Sequence, residues 1–326
     1  MKTIKTLAAL AAVTLVSGVA NAGTLDDVRK KGFLQCGVST GVAGFAYTDD
    51  KGNYQGFDPA VCQAVAAAIF GDITKVKYTP TTVDMLARNT TWTFSRDTDL
   101  KLDFVGVNYY DGQGFMVPSK LGVKSAKELD GASVCIQTGT TTELNLADFF
   151  RINKIKYEAV PIETNEEART NYAAGRCDVY TTDASGLAAT RSTFDNPADH
   201  VLLPEIISKE PLGPLVRHGD SEWGDVVRWV LNAMITAEEF GVTSANVDKM
   251  AAGTDNPEIN RLLGSEGDLG KMIGLDKAWA WRAIKAVGNY GEVFEKHIGA
   301  KTPIGLERGL NALWTKGGIL YSPPFR

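Results

Sequence analysis

Residues Ser133 to Asp183 read SVCIQTGTTTELNLADFFRINKIKYEAVPIETNEEARTNYAAGRCDVYTTD. Ser133 to Gln137 is a short apolar strand, Thr141 to Phe150 a helix, Tyr157 to Ile162 a second strand, Asn165 to Ala174 a second helix and Asp178 to Thr181 a third strand. Strands alternating with helices give α/β layering around a mostly parallel sheet. The connection from Glu163 to Arg176 supplies the dozen or so residues that a parallel crossover needs. This block is one complete lobe.

A similar block precedes it. Leu34 to Val38 is a strand and Gly41 to Gly56 a turn-rich loop; Asp58 caps a helix running through Ile69, with Val61, Val65 and Ile69 on one face. Val76 to Thr79 and Val83 to Ala87 are further strands. Val105-Gly106-Val107 and Phe115-Met116-Val117 flank a polar, glycine-containing segment that suits a crossing between lobes, and Lys209 to Val216, stiffened by Pro211 and Pro214, is the route back. The rest is mainly helical, including Trp223 to Glu239 and Ala278 to Val287. The expected organisation is 1–22 a leader, 23–111 the first part of lobe 1, 112–210 lobe 2, and 211–326 the return to lobe 1 with a helical C-terminal extension.

The two lobes differ at one place. Between Val76–Pro80 and Val83 stand only Thr81 and Thr82, and two residues span at most about 7 Å. Lobe 1 therefore lacks a crossover helix there. Either one face of its sheet is uncovered, or the two strands pair as an antiparallel hairpin and redirect the segment that follows.

The 326 residues are 44% hydrophobic and 22% charged, enough for a buried core in each of two domains. A net charge of −5 argues against a protein that grips nucleic acid by charge. The beginning has the form of an export signal: Lys2 and Lys5, the apolar stretch Thr6 to Val16, then Ala20-Asn21-Ala22 as a cleavage site. Past it, no apolar run reaches the roughly 18 residues of a membrane span, and Gly23 at the cut offers no cysteine for a lipid anchor. Cys36, Cys62, Cys135 and Cys177 all follow the leader, an even count that suits disulfides in an exported protein. Three connectivities are open, as are four buried thiols; the strand and helix positions favour Cys36–Cys62 and Cys135–Cys177. None of the spacings is a CxxC metal or redox pattern.

Three clusters carry chemistry. Arg88-Asn89-Thr90-Thr91-Trp92-Thr93-Phe94-Ser95-Arg96 follows a strand, so its hydroxyls and Arg96 gather where α/β folds place ligands. An arginine fork with neighbouring hydroxyls matches a carboxylate, although a surface loop would look the same. Gln137-Thr138-Gly139-Thr140-Thr141-Thr142-Glu143 contains a Thr140/Glu143 capping box opening a helix, whose free amides can hold an anion. Asp183 ends a strand, where it is either a helix cap or a receptor for a cation. Together the three describe a site for an α-amino acid zwitterion between two lobes.

With Gly56-Phe57-Asp58, Tyr109-Tyr110-Asp111-Gly112, Gly175 to Asp183 and Gly309 to Arg326, these segments make the chain resemble the periplasmic general (polar) L-amino-acid-binding proteins of ABC transporters, solute-binding protein family 3. The resemblance covers nearly everything after the leader. It implies a type II periplasmic-binding-protein fold, with two lobes, each a mostly parallel sheet flanked by helices, and a ligand cleft between them. It further implies that Thr91 and Arg96 bind the α-carboxylate, that Thr140 and Thr141 close on the ligand from lobe 2, and that Asp183 takes the α-ammonium. Asn89 stands where relatives often have serine. The loop Val42 to Phe45, with Trp92, is expected to shape the side-chain pocket. Relatives carry a helix at the point where this chain has Thr81-Thr82.

The reading is thus a non-enzymatic, monomeric periplasmic protein with no cofactor, no metal and no nucleic-acid partner, which captures L-amino acids by hinge closure and delivers them to membrane permease subunits. The alternatives are an exported dehydratase or lyase for an amino-acid-like substrate, a ligand sensor for a receptor, and a family member whose binding is impaired by the shortened lobe 1. His200, His218 and His297 all lie outside the ligand motifs, which weighs against an enzyme.

Overall fold

In a computed structural model, residues 23–79 and 83–326 are described. The chain opens with α1 (Thr24–Lys31), β1 (Leu34–Gly37), the small hairpin β2 (Tyr47–Thr48) and β3 (Tyr54–Gln55), α2 (Phe57–Phe70), β4 (Val76–Tyr78), β5 (Met85–Leu86), α3 (Phe94–Thr98) and β6 (Leu102–Phe104). β7 (Tyr109–Asp111) then leads into β8 (Gln113–Pro118), β9 (Ala132–Gln137), α4 (Thr141–Asn153), β10 (Tyr157–Ile162), α5 (Asn165–Ala173), β11 (Val179–Asp183), α6 (Ala184–Arg191) and β12 (His200–Leu202). β13 (Glu210–Leu212) returns to β14 (Leu215–Arg217), followed by α7 (Ser221–Glu239), α8 (Val247–Ala251), α9 (Pro257–Leu263), α10 (Trp279–Val287) and α11 (Tyr290–His297).

Two five-stranded sheets result, β4-β1-β5-β14-β6 in lobe 1 and β10-β9-β11-β8-β12 in lobe 2. Their plans match. β1 is parallel to β4 and β5, and β9 to β10 and β11. The one antiparallel strand in each, β14 or β8, is the strand that has just arrived from the other lobe. The two passages pair with each other as β7 and β13, with Asp111 opposite Glu210 and Tyr109 opposite Leu212. At their lobe 1 end the passages run so close to each other that a Cβ on Gly213 would collide with the carbonyl of Gly106.

Strand alternation builds the cores. In β8, Phe115 and Val117 face a cluster with Val134, Leu146 and Phe150 under α4, while Met116 faces the other side with Tyr172, Tyr180 and Leu187 of α5, β11 and α6. Lobe 1 packs α2, α7 and α10 on a single face, around Cys36, Val65, Trp223, Val230 and Ile284. Disulfides join Cys36 to Cys62 and Cys135 to Cys177, the pairing favoured above.

Of the two outcomes open for the short connection in lobe 1, the antiparallel hairpin does not form. β4 and β5 are shorter than the apolar runs suggest, so the connection spans Thr79 to Asp84; Pro80, Thr81 and Thr82 lie outside the described residues. The two strands flank β1, both parallel to it, with Tyr78 and Met85 each opposite Cys36. They stand about 10 Å apart, within the roughly 20 Å that such a segment can reach. Thr79 N–H donates to the Cys36 carbonyl at 3.1 Å on one side of β1, and Asp84 N–H to the Gln35 carbonyl at 2.8 Å on the other. Asp84 is held there by Lys31 Nζ, by Gln35 N–H at 2.7 Å, and by the Trp223 indole N–H, which donates to its carbonyl at 2.8 Å. Val83 lies over Gly37, where an added Cβ would stand 3.2 Å from Val83 Cγ1. On this face Leu86 and Leu102 stay half-buried, and the Trp92 indole stacks on Phe104 with centroids 5.5 Å apart, supplying part of the cover.

Two helix starts also differ from expectation. Gly56, not Asp58, is the N-cap of α2, and Asp58 is buried in its first turn. At α4, Thr140 caps Glu143 N–H as expected, but the Glu143 carboxylate reaches Gly139 N–H at 2.8 Å, one residue earlier than in a capping box.

Candidate functional site

A cleft of about 540 Å³ separates the lobes, walled by Val42, Ala43, Asn89, Thr91 and Arg96 on one side and by Gln137 to Thr142 and Asp183 on the other. The three clusters singled out in the sequence therefore meet. On the lobe 1 side, the turn after β5 is set by Asp58. Its carboxyl accepts from the Asn108 side chain and from Asn89 N–H, holding Asn89 in the left-handed region at φ 52°. Asn89 Oδ1 is buried without a hydrogen-bond partner and so presents an unused acceptor at the cleft. Thr93 caps α3 by accepting from Arg96 N–H at 3.3 Å. The Arg96 Nη1 donates to the Thr91 carbonyl at 2.9 Å, leaving the rest of the fork free for a ligand.

The lobe 2 side is the start of α4 and the end of β11. Thr140 Oγ1 donates to the Gln137 carbonyl at 2.7 Å, and Asp183 is the last residue of β11, making no cap bond to α6. Its carboxyl is raised well above the usual range by burial, then by the nearby Asp111 and Glu210 carboxylates, with Arg96 opposing. Asp111 is pushed up to about 6, first by burial, against hydrogen bonds from Ser185 and Gly112 N–H. Burial lowers the Arg96 guanidinium, while Glu210 and Asp183 raise it. Arg96, with Arg88 and Arg169, thus lines the same cleft as Asp183, and the Asp111 and Glu210 carboxylates beside Asp183 add a repulsion that an ammonium group there would offset.

Glu210 and Asp111 were given no role from the sequence. Glu210 is 1% exposed and accepts from Thr91 Oγ1 at 2.5 Å, Thr141 Oγ1 at 3.0 Å, Asn145 Nδ2 at 2.8 Å and Ser208 Oγ at 2.6 Å. With their protons committed to Glu210, Thr91 and Thr141 face the cleft with lone pairs. The available signals were the Tyr109-Tyr110-Asp111-Gly112 motif and an acid inside the apolar, proline-bounded return strand. The two aromatic residues expected at the side-chain pocket stand apart from the cleft walls. Phe45 is 0% exposed in an edge-on cluster with Phe57 and Tyr109, and Trp92 is turned onto Phe104 with its N–H on Asp97. Neither lines the cleft; its apolar wall is Val42, Ala43, Leu86, Leu100 and Leu102.

No protein-family model matches the chain. It is 62% identical over 338 aligned positions to the glutamate/glutamine/aspartate/asparagine-binding protein of Rhodobacter capsulatus, covering 100% of both chains. This chain belongs to the periplasmic amino-acid-binding proteins of ABC transporters. It is also 56% identical to the general L-amino acid-binding periplasmic protein of Rhizobium johnstonii, over 98% of each chain. Among solved structures it matches an ABC transporter periplasmic binding protein from Brucella ovis with glutathione bound, at 57% identity and a TM-score of 0.91, over 94% of this chain and 100% of that one. This binding protein is accordingly the substrate-binding component of an amino-acid transporter, of a kind whose close relatives are not enzymes. The 338 positions aligned with the Rhodobacter protein exceed the 326 residues here by 12, so at least that many are gaps in this chain.

Proposed function

We propose that this binding protein is exported, with its leader cut after Ala22, and acts as a monomer that closes on an L-amino acid and hands it to permease subunits in the membrane. The lobes, 23–111 with 211–326 and 112–210, rotate about the paired strands β7 and β13. A ligand with greater affinity for the closed form drives the shift. Arg96 takes the α-carboxylate together with free amides at the start of α4. Asp183 takes the α-ammonium, with Asn89 Oδ1 and the lone pairs of Thr91 and Thr141 as further acceptors; Thr140 shapes the same wall. The observation that carries this reading is that Arg96 from lobe 1 and Asp183 from lobe 2 line one cleft, with Asp111 and Glu210 close enough to push the Asp183 carboxyl further up. The short lobe 1 connection leaves β5 parallel to β1, with Arg88 to Thr91 and Arg96 at the cleft, which supports binding competence.

The relatives' names point to glutamate, glutamine, aspartate and asparagine, or to amino acids in general. A second ligand class, γ-glutamyl peptides, is favoured by the cleft's size and by the glutathione in the Brucella ovis protein. Their glutamyl end carries the same α-carboxylate and α-ammonium. A thermal-shift screen of residues 23–326 against the twenty L-amino acids and glutathione tests both, because a ligand that binds only the folded state raises the melting temperature. Shifts with amino acids support the first class and with glutathione alone the second. A cooperative melt that nothing shifts refutes both.

A further inference from the structure

We propose that Glu210 is an interlobe latch, a positioning residue whose carboxylate holds the lobes together and sets how slowly ligand leaves. It sits at the start of β13, on the axis between the lobes, and is 1% exposed. Oε2 accepts from Thr91 Oγ1 at 2.5 Å and Thr141 Oγ1 at 3.0 Å, and Oε1 from Asn145 Nδ2 at 2.8 Å and Ser208 Oγ at 2.6 Å. Thr91 is fastened to the lobe 1 end of the crossing by its bridge to Leu212. Thr141 and Asn145 lie in the first two turns of α4, in lobe 2. A single buried carboxylate therefore takes donors from both lobes, and at this point the Thr91 and Thr141 hydroxyls are 3.5 Å apart. Rotating lobe 2 about the crossings draws Thr141 and Asn145 away and strips a buried anion of donors, which costs free energy. The closed arrangement is favoured by the same amount. Asp111, opposite on β7, and Asp183 repel Glu210, and Arg96 attracts it. The latch thus works against repulsion from its neighbouring acids, which an incoming ammonium offsets.

The kinetic part of the test rests on the amino-acid reading; the scattering part does not. Stopped-flow binding of L-glutamine to the wild-type chain, Glu210→Ala, Asn145→Ala and the double variant separates association from dissociation. Small-angle scattering without ligand reports closure. Removing a hydrogen bond to a charged group predicts dissociation faster by about tenfold or more in each single variant. Association should stay within about threefold of wild type. The double variant should dissociate no more than about threefold faster than Glu210→Ala, since Asn145 acts through Glu210. Glu210→Ala should have a larger ligand-free radius of gyration than wild type. A lowered melting temperature with unchanged dissociation would make Glu210 purely structural and overturn the latch, as would full additivity of the two substitutions. Should Glu210→Ala not fold, Asn145→Ala alone decides by its dissociation rate. If wild type does not bind L-glutamine, the ligand reading fails there, and equal radii for wild type and Glu210→Ala overturn the latch independently.

Discussion

Replacing Asp58 by asparagine should stabilise this protein, and by more as the pH rises from about 4 to 7. Asp58 is 3% exposed in the first turn of α2. One carboxyl oxygen is served by the Asn108 side chain and Asn89 N–H, while Oδ2 has no hydrogen-bond partner. Burial outweighs those bonds and the attraction of Arg88, pushing the carboxyl up to about 7 from 3.8. Below about pH 4 both the folded and unfolded chains hold this proton. Between about 4 and 7 only the folded chain keeps it, so its contribution to stability falls by about 1.4 kcal/mol per pH unit; above 7 it is level. The difference between 7 and 3.8 amounts to about 4 kcal/mol in all. Asparagine keeps an acceptor for Asn89 N–H and cannot ionise. Urea unfolding of both proteins at a series of pH values from 4.5 to 8.5 measures the gap directly. It should open through the acidic range and then stay constant. A gap that does not vary with pH would show that Asp58 is ionised in the fold and would refute the argument.

Arg96→Ala should weaken binding of any α-amino acid that binds the wild type by about 3 kcal/mol, more than a hundredfold, because it removes the charge-assisted partner of the carboxylate. Calorimetry alongside an unchanged circular dichroism spectrum checks it, and retained affinity would remove Arg96 from the site. Breaking Cys135–Cys177, which closes a separation of 42 residues, should cost about 4 kcal/mol, and Cys36–Cys62, with 26, slightly less. Melts of the paired Cys→Ser variants measure this, and unchanged melting temperatures would contradict it. Gly37→Ala should destabilise lobe 1 by about 1–3 kcal/mol, since its Cβ meets Leu86 and Val83 where the short connection rejoins the sheet. An unaltered melt would mean that Val83 does not lie over Gly37 in solution.

Features with a local cause were legible in the sequence. The alternation of strand and helix over Ser133 to Asp183 follows from side-chain periodicity, and Thr140 capping Glu143 N–H from one turn of backbone geometry. The Asn89–Arg96 cluster, the Gln137–Glu143 turn and Asp183 could be placed at strand ends for the same reason, and these meet at the cleft. Features that depend on which strands become neighbours were not. Thr81-Thr82 left a hairpin and an uncovered sheet face both open, because a strand's ends are uncertain by a residue or two. Placing β4 and β5 on either side of β1 required knowing that β4 ends early and β5 begins late. Phe45 and Trp92 read as pocket aromatics, yet a ring buries itself against whichever ring is close, and Phe57 and Phe104 are close only in three dimensions.

By itself, then, the sequence determined the layered α/β plan, the strand-end positions of the polar clusters and the family resemblance, because each rests on short-range spacing. Tertiary structure alone decided the acid cluster. Asp111 and Glu210 are about a hundred positions apart and become opposite neighbours only when the two crossings pair. Only that pairing places Glu210 among donors from both lobes, where burial makes its hydrogen bonds matter.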